Sequence, residues 1–93
     1  MTQARVQLIE RLLREGLAPL HFEIEDESHL HRGHAGARDG GGHFRVTIVS
    51  DAFEGRSLVE QHKLVQETLK GLYGSEIHAL ALKTIATSRW KKT

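Results

Sequence analysis

The sequence predicts a small α/β domain of the α+β kind: a three-stranded mixed sheet covered by helices, in the order α-β-β-α-β, over residues 1–93. Three observations predict it. Two segments, 2–15 and 57–71, repeat apolar residues at the helical period. Three others, 20–25, 43–50 and 77–85, alternate apolar and polar residues as half-buried strands do. A helix lies between the second and third strands, which makes them parallel if they are neighbours, whereas only a loop joins the first two, which then pair antiparallel. Three strands cannot bury themselves, so the helices must cover one face of the sheet.

Each element has its own signal. In 2–15, Val6, Ile9, Leu12, Leu13 and Leu17 form one apolar stripe; Arg5, Gln7, Glu10, Arg11 and Arg14 fill the other side. Gly16 is placed as a left-handed stop. In 20–25, Leu20, Phe22 and Ile24 face one way and His21, Glu23 and Glu25 the other, with Pro19 just ahead where its missing N–H does little harm. In 43–50, Phe44, Val46 and Ile48 oppose His43, Arg45 and Thr47, so Glu23 or Glu25 can lie across from Arg45. Phe53-Glu54-Gly55 breaks the pattern. Ser57 and Glu60 have capping-box spacing at the start of 57–71. Leu58, Val65, Leu69 and Leu72 share the stripe of that helix, and His62 falls on the same stripe, where a partly buried histidine bonded within the fold is the simpler expectation. Gly71-Leu72-Tyr73-Gly74 ends it; the G-x-x-G spacing also occurs in phosphate-clamping loops, but a helix end already accounts for both glycines. In 77–85, His78, Leu80, Leu82 and Thr84 share one face, which the leucines mark as the core side. The tail, 86–93, holds Trp90, placed to pin the terminus to the body.

Composition bounds the function. The net charge of +1 argues against coating nucleic acid or an anionic membrane. No apolar run approaches a membrane span and no targeting signal is evident, so the expected location is the cytoplasm. There is no cysteine, so disulfides, thiol nucleophiles and all-cysteine metal sites are excluded, and any metal must rest on histidines or carboxylates. The Gly40-Gly41-Gly42 run lacks the ending of a phosphate loop, and no serine stands in a recognisable nucleophile setting, so neither an enzyme nor a small-molecule substrate is expected.

The loop 26–42, with His43 just beyond it, is the candidate site. His29, His31, His34 and His43 are four of seven histidines, and five of nine glycines fall among them. Histidine is the commonest metal ligand and titrates near neutrality, although a mobile soluble loop would use the same residues. Parallel strands start at one edge, so His78 begins near where His43 begins, and the loop arrives there too. Parity separates the two strand histidines: His43 points away from its apolar face, while His78 lies on the core side. A loop histidine therefore meets His78 more easily than His43 does.

Asp26-Glu27-Ser28, His43-Phe44-Arg45-Val46, Val49-Ser50-x-x-Phe53-x-Gly55, His62-Lys63-x-Val65 with Leu69, Ile77-His78-Ala79-Leu80 and a terminal Trp90 together resemble the BolA family, in order and over nearly the whole chain. The resemblance implies a class II KH-like fold with a short C-terminal helix. It implies partnership with a monothiol glutaredoxin as a heterodimer. The pair would share a [2Fe-2S] cluster, held on one side by the glutaredoxin cysteine and glutathione and on the other by histidine. His78 matches the histidine of the Ile-His-Ala motif; His31, with His34 as the alternative, matches the loop ligand. Gln61 stands where many members carry arginine, the tail lacks the usual threonine-proline, and the loop is longer and richer in glycine and histidine.

Three functions compete. A cluster-sharing adaptor suits a chain without cysteine, because thiolates then come from the partner; histidine ligation also raises a [2Fe-2S] potential. A DNA-binding regulator of morphology and stress is the alternative, with Arg56, His62, Lys63 and Lys70 as its contacts, and the balanced charge points to weak binding. A free-standing zinc site on His29, His31 and His34 ranks last, since the surrounding glycines would leave its ligands poorly oriented.

Overall fold

The computed structural model describes residues 2–27 and 42–90. Helix α1 spans Thr2–Leu17, strand β1 His21–Asp26, strand β2 Gly42–Ser50, helix α2 Leu58–Thr68 and strand β3 Ile77–Ala86. Three-residue 3₁₀ turns follow β2, α2 and β3, at Asp51–Phe53, Lys70–Leu72 and Thr87–Arg89. The sheet order is β1-β2-β3, with β1 antiparallel and β3 parallel to β2. Among the described residues no helix is long and apolar enough to cross a membrane.

The core lies between the sheet and the two helices. Ile9, Leu13 and Leu17 of α1 and Val65 and Leu69 beside α2 meet Phe44, Val46 and Ile48 of β2, together with Phe53 and Ile77. Burial of these side chains away from water is the main drive to this arrangement. At the end of β2, the buried Ser50 hydroxyl donates to the Leu17 carbonyl at 2.6 Å and accepts from the Ala52 amide at 3.0 Å. One hydroxyl thus joins the end of α1, the end of β2 and the turn that follows.

Several boundaries differ from the sequence expectation. Helix α1 runs through Gly16, which is not its stop. Ala18 takes the left-handed conformation instead, with φ 44°, and its amide donates to the Arg14 carbonyl. Gly16 serves close packing: a Cβ there would lie 2.9 Å from Thr68 Cγ2 on α2. Leu20 precedes β1 and is 63% exposed, because it lies past the last turn of the covering helix. Leu58 opens α2 and is 60% exposed, since the first turn projects beyond the core. Helix α2 is shorter than 57–71, ending at Thr68, and Gly74, with φ 92°, is the glycine its exit requires.

The outer face of the sheet carries two closures. Arg45 lies opposite Glu25 in register, yet its Nε donates to Glu27 at 3.1 Å. At the other end Trp90 stacks on His21, ring centres 4.7 Å apart, while His21 Nε2 lies 2.6 Å from a Glu23 carboxylate oxygen. Glu54 holds the final turn by accepting from both the amide and hydroxyl of Ser88. Val49 faces outward by alternation but is fully buried; its register partners are His21 and Ile85, so the indole on His21 roofs this end. Trp90 does pin the terminus to the body.

Candidate functional site

The opposite end of the sheet is where β2 and β3 begin. The register runs Gly42↔Ile77 and then His43↔Ala79, so β3 has one residue more than β2 at this point. That residue is His78. A bulge of this kind breaks the alternation and re-aims the side chain it contains. Ile77 is fully buried in the core, Leu80 is partly buried against it, and His78 and Ala79 between them are exposed. The expected placement of His78 on the core side is therefore incorrect. Leu80, Leu82 and Thr84 do face inward, but the bulge turns His78 to the outer face.

This correction brings together two side chains that parity had kept apart. The rings of His43 and His78 lie with centres 5.0 Å apart and planes tilted by 50°. His43 is half-buried and His78 exposed. The rim beneath them is tied from several sides. The Glu27 amide donates to the His43 carbonyl at 2.7 Å, and the Gly42 amide donates to the Glu76 carbonyl at 3.1 Å. Arg5 of α1 pairs with the Glu76 carboxylate at 3.0 Å. The chain thus leaves for 28–41 and returns from it at the edge that carries both rings.

His29, His31 and His34 lie outside the described residues, and the three-histidine zinc reading with them. Among the described residues no three His, Cys, Asp or Glu side chains converge. Two imidazoles do, and neutral imidazole suits iron, zinc, copper and nickel. Strict alternation through β3 puts His43 and His78 on opposite faces, and the extra residue in β3 removes that separation. Ile77 and Leu80 are both apolar and three apart, a spacing that a straight strand cannot bury on one face. That spacing was the available signal.

The residues expected to contact nucleic acid are only partly gathered. Lys63 and Lys70 line one shallow cavity with Gln66, Glu67 and Tyr73. Lys70 Nζ is 3.9 Å from the Glu67 carboxylate, which offsets part of its charge. Burial pushes the Tyr73 phenol above its ordinary value of 10.0, so it stays neutral and can donate a hydrogen bond. Arg56 and His62 do not line this cavity. Arg56 Nε donates to the Ala52 carbonyl at 3.0 Å, stiffening the turn before α2. His62 is partly buried as expected, but its Nε2 has no hydrogen-bond partner among the described residues. Gln61, at the position where arginine is common, accepts from Thr84 at 2.6 Å and ties α2 to β3.

These features define a small α+β domain with an imidazole-bearing rim beside its longest connection. The chain belongs to the BolA family: the family model described as BolA-like protein matches residues 13–89. A putative BolA-like protein of Caenorhabditis elegans is 44% identical over 86 residues, covering 88% of this chain and 77% of that protein. The DNA-binding transcriptional regulator BolA of Escherichia coli (strain K12) is 36% identical over 83 residues, covering 89% and 76%. The solved BolA domain of SufE1 from Arabidopsis thaliana matches with a TM-score of 0.81 at 37% identity, over 92% of this chain and 95% of that one.

Proposed function

We propose that this chain is a non-catalytic adaptor of the cytoplasm that binds a monothiol glutaredoxin as a heterodimer. The two share a [2Fe-2S] cluster with glutathione, in iron–sulfur trafficking or iron and redox regulation. The observation that carries the proposal is the outward turn of His78 onto the rim, next to a second imidazole. An exposed, bulge-held histidine serves packing poorly and ligation well. This chain supplies His78 and a second histidine, for which the family pattern nominates His31 or His34. It has no cysteine, so thiolate ligands come from the partner. When bound, the cluster supplies a one-electron redox centre whose histidine ligation raises its potential and makes it acid-sensitive.

Anaerobic co-purification with a monothiol glutaredoxin, followed by visible absorption and iron counting, tests the adaptor. His78→Ala should leave the apo protein folded and still able to dock, while the mixed cluster loses its histidine-type spectrum or fails to form. His62→Ala should not reproduce this. A shared cluster whose spectrum and acid sensitivity survive His78→Ala would sink the assignment.

A second reading is a DNA-binding regulator, supported by the similarity to the Escherichia coli regulator and by the cavity lined by Lys63, Lys70 and Tyr73. A salt titration of DNA affinity separates the two, because phosphate contacts give a steep slope.

A further inference from the structure

We propose that Glu76 and Arg5 are positioning residues for the rim. Their ion pair holds the bulge that turns His78 outward, and so ties the histidine edge to the first turns of helix α1. For the shared cluster this rests on the adaptor function proposed above; for the isolated chain it does not.

A bulge leaves one residue without a cross-strand partner and disrupts the ladder locally, so the residues that bracket it must hold it. On the C-terminal side of His78 the ladder resumes at once, with Ala79 opposite His43. On the N-terminal side the strand ends, and Glu76 does the fixing. Its amide donates to the Leu72 carbonyl at 2.8 Å, and its carbonyl accepts from the Gly42 amide at 3.1 Å. Its carboxylate accepts from Arg5 Nε at 3.0 Å. One residue, two before His78, thus joins the turn after α2, the start of β2 and helix α1.

The carboxylate bond differs from the two backbone bonds, because it reaches a helix 71 residues away in the chain. The two side chains keep only 26% and 38% of their surface exposed, so salt screens the pair less than one in open solvent. Core packing does not replace it. Burial anchors Ile77, the residue before His78, but one anchored side chain leaves the strand free to pivot about it. The bonds of Glu76 remove that freedom. Partners that orient a ligand without touching the metal are commonly worth about 10–100-fold in metal affinity.

The test compares the full wild-type chain with Glu76→Gln, Arg5→Gln and the swap Arg5→Glu with Glu76→Arg. In the apo protein, amide exchange at Gly42 and NMR cross-relaxation between the His43 and His78 rings read the bulge. In the anaerobic glutaredoxin complex, the lifetime of the visible absorption reads the cluster. Each single variant should speed Gly42 exchange several-fold and weaken the ring contact. Each should also shorten the cluster lifetime about tenfold or more. The swap should restore all three. Exchange at Val46, in the middle of β2, should change far less, which separates a loosened rim from a loosened fold. Equal loss of protection at Gly42 and Val46 would overturn the proposal, since the pair would then only stabilise the whole. Unchanged Gly42 protection in both single variants would overturn it too. Faster Gly42 exchange with an unchanged cluster lifetime would overturn the link to the cluster. A wild-type pair that assembles no cluster would instead overturn the adaptor function, and the apo measurements would still decide the role of Glu76 and Arg5.

Discussion

Ala18 holds a backbone conformation that glycine holds with less strain, while Gly16, two residues earlier, sits where a side chain would collide. With φ 44°, Ala18 carries the left-handed penalty of an L-residue. Replacing it by glycine removes that strain and costs some unfolded-state entropy, so Ala18→Gly should stabilise the fold by about 0.5–1 kcal/mol. Gly16→Ala should go the other way despite alanine's better helix propensity. Its Cβ would meet Thr68 Cγ2 at 2.9 Å, and Thr68 cannot swing aside freely because its Oγ1 donates to the Leu64 carbonyl at 2.8 Å. Thr68→Ser removes the clashing methyl and keeps the hydroxyl, so it should rescue Gly16→Ala. Denaturant melts of the three variants and the double variant check the signs; a stabilised Gly16→Ala alone would show that the helices separate at little cost.

At the scale of elements, α2 depends on its first turn. The Ser57 hydroxyl accepts from the Glu60 amide at 3.2 Å and the Glu60 carboxylate accepts from the Ser57 amide at 2.8 Å. Ser57→Ala should cost about 1 kcal/mol of stability. The Ser57 amide, foremost, holds the Glu60 carboxyl below its ordinary value of 4.5. A carboxyl depressed in the fold contributes stability that is present above its unfolded value and lost as pH falls through its folded one. The capping contribution should therefore persist at neutral pH and fade below about pH 4.5, the ordinary value of the group. Thermal melts of Glu60→Gln against wild type should converge as the pH drops through that window; a constant gap would remove the carboxylate from the cap.

This cap was legible because a capping box is a local pattern, and the parallel crossover was legible because chain connectivity dictates it. Strand faces were legible wherever alternation is unbroken, as for Phe44, Val46 and Ile48. The bulge was not, because it inserts a residue without changing composition. Its one trace in the sequence is the three-residue spacing of Ile77 and Leu80, and their joint burial shows that this spacing marks a bulge. Leu20 and Leu58 misled for the related reason that apolar period says which way a residue faces, not whether anything covers it. Arg45 chose Glu27 over its register partner Glu25 because a long guanidinium reaches diagonally along a strand.

Considered whole, the molecule offers DNA little field. The net charge is +1. On the outer face of the sheet the exposed Glu23 and Glu25 stand among Arg45 and Lys83, so neither sign dominates. The basic groove beside α2 contains Lys63 and Lys70, and Glu67 lies against the second of them. Non-specific affinity rises with the number of phosphates neutralised, and two lysine contacts predict a slope of log affinity against log salt of about −2. At physiological salt the isolated, metal-free chain should therefore bind random duplex DNA with a Kd of ~10⁻⁴–10⁻⁶ M. Lys63→Ala and Lys70→Ala should each reduce the slope by about 1. Arg56→Ala should leave it unchanged, since Arg56 is outside the groove and its Nε is engaged by the Ala52 carbonyl. Fluorescence anisotropy over a salt series measures all four. A slope much steeper than −2, or nanomolar sequence-dependent binding, would require a larger basic surface than the described residues provide. It would also raise DNA regulation above cluster sharing as the work of this fold.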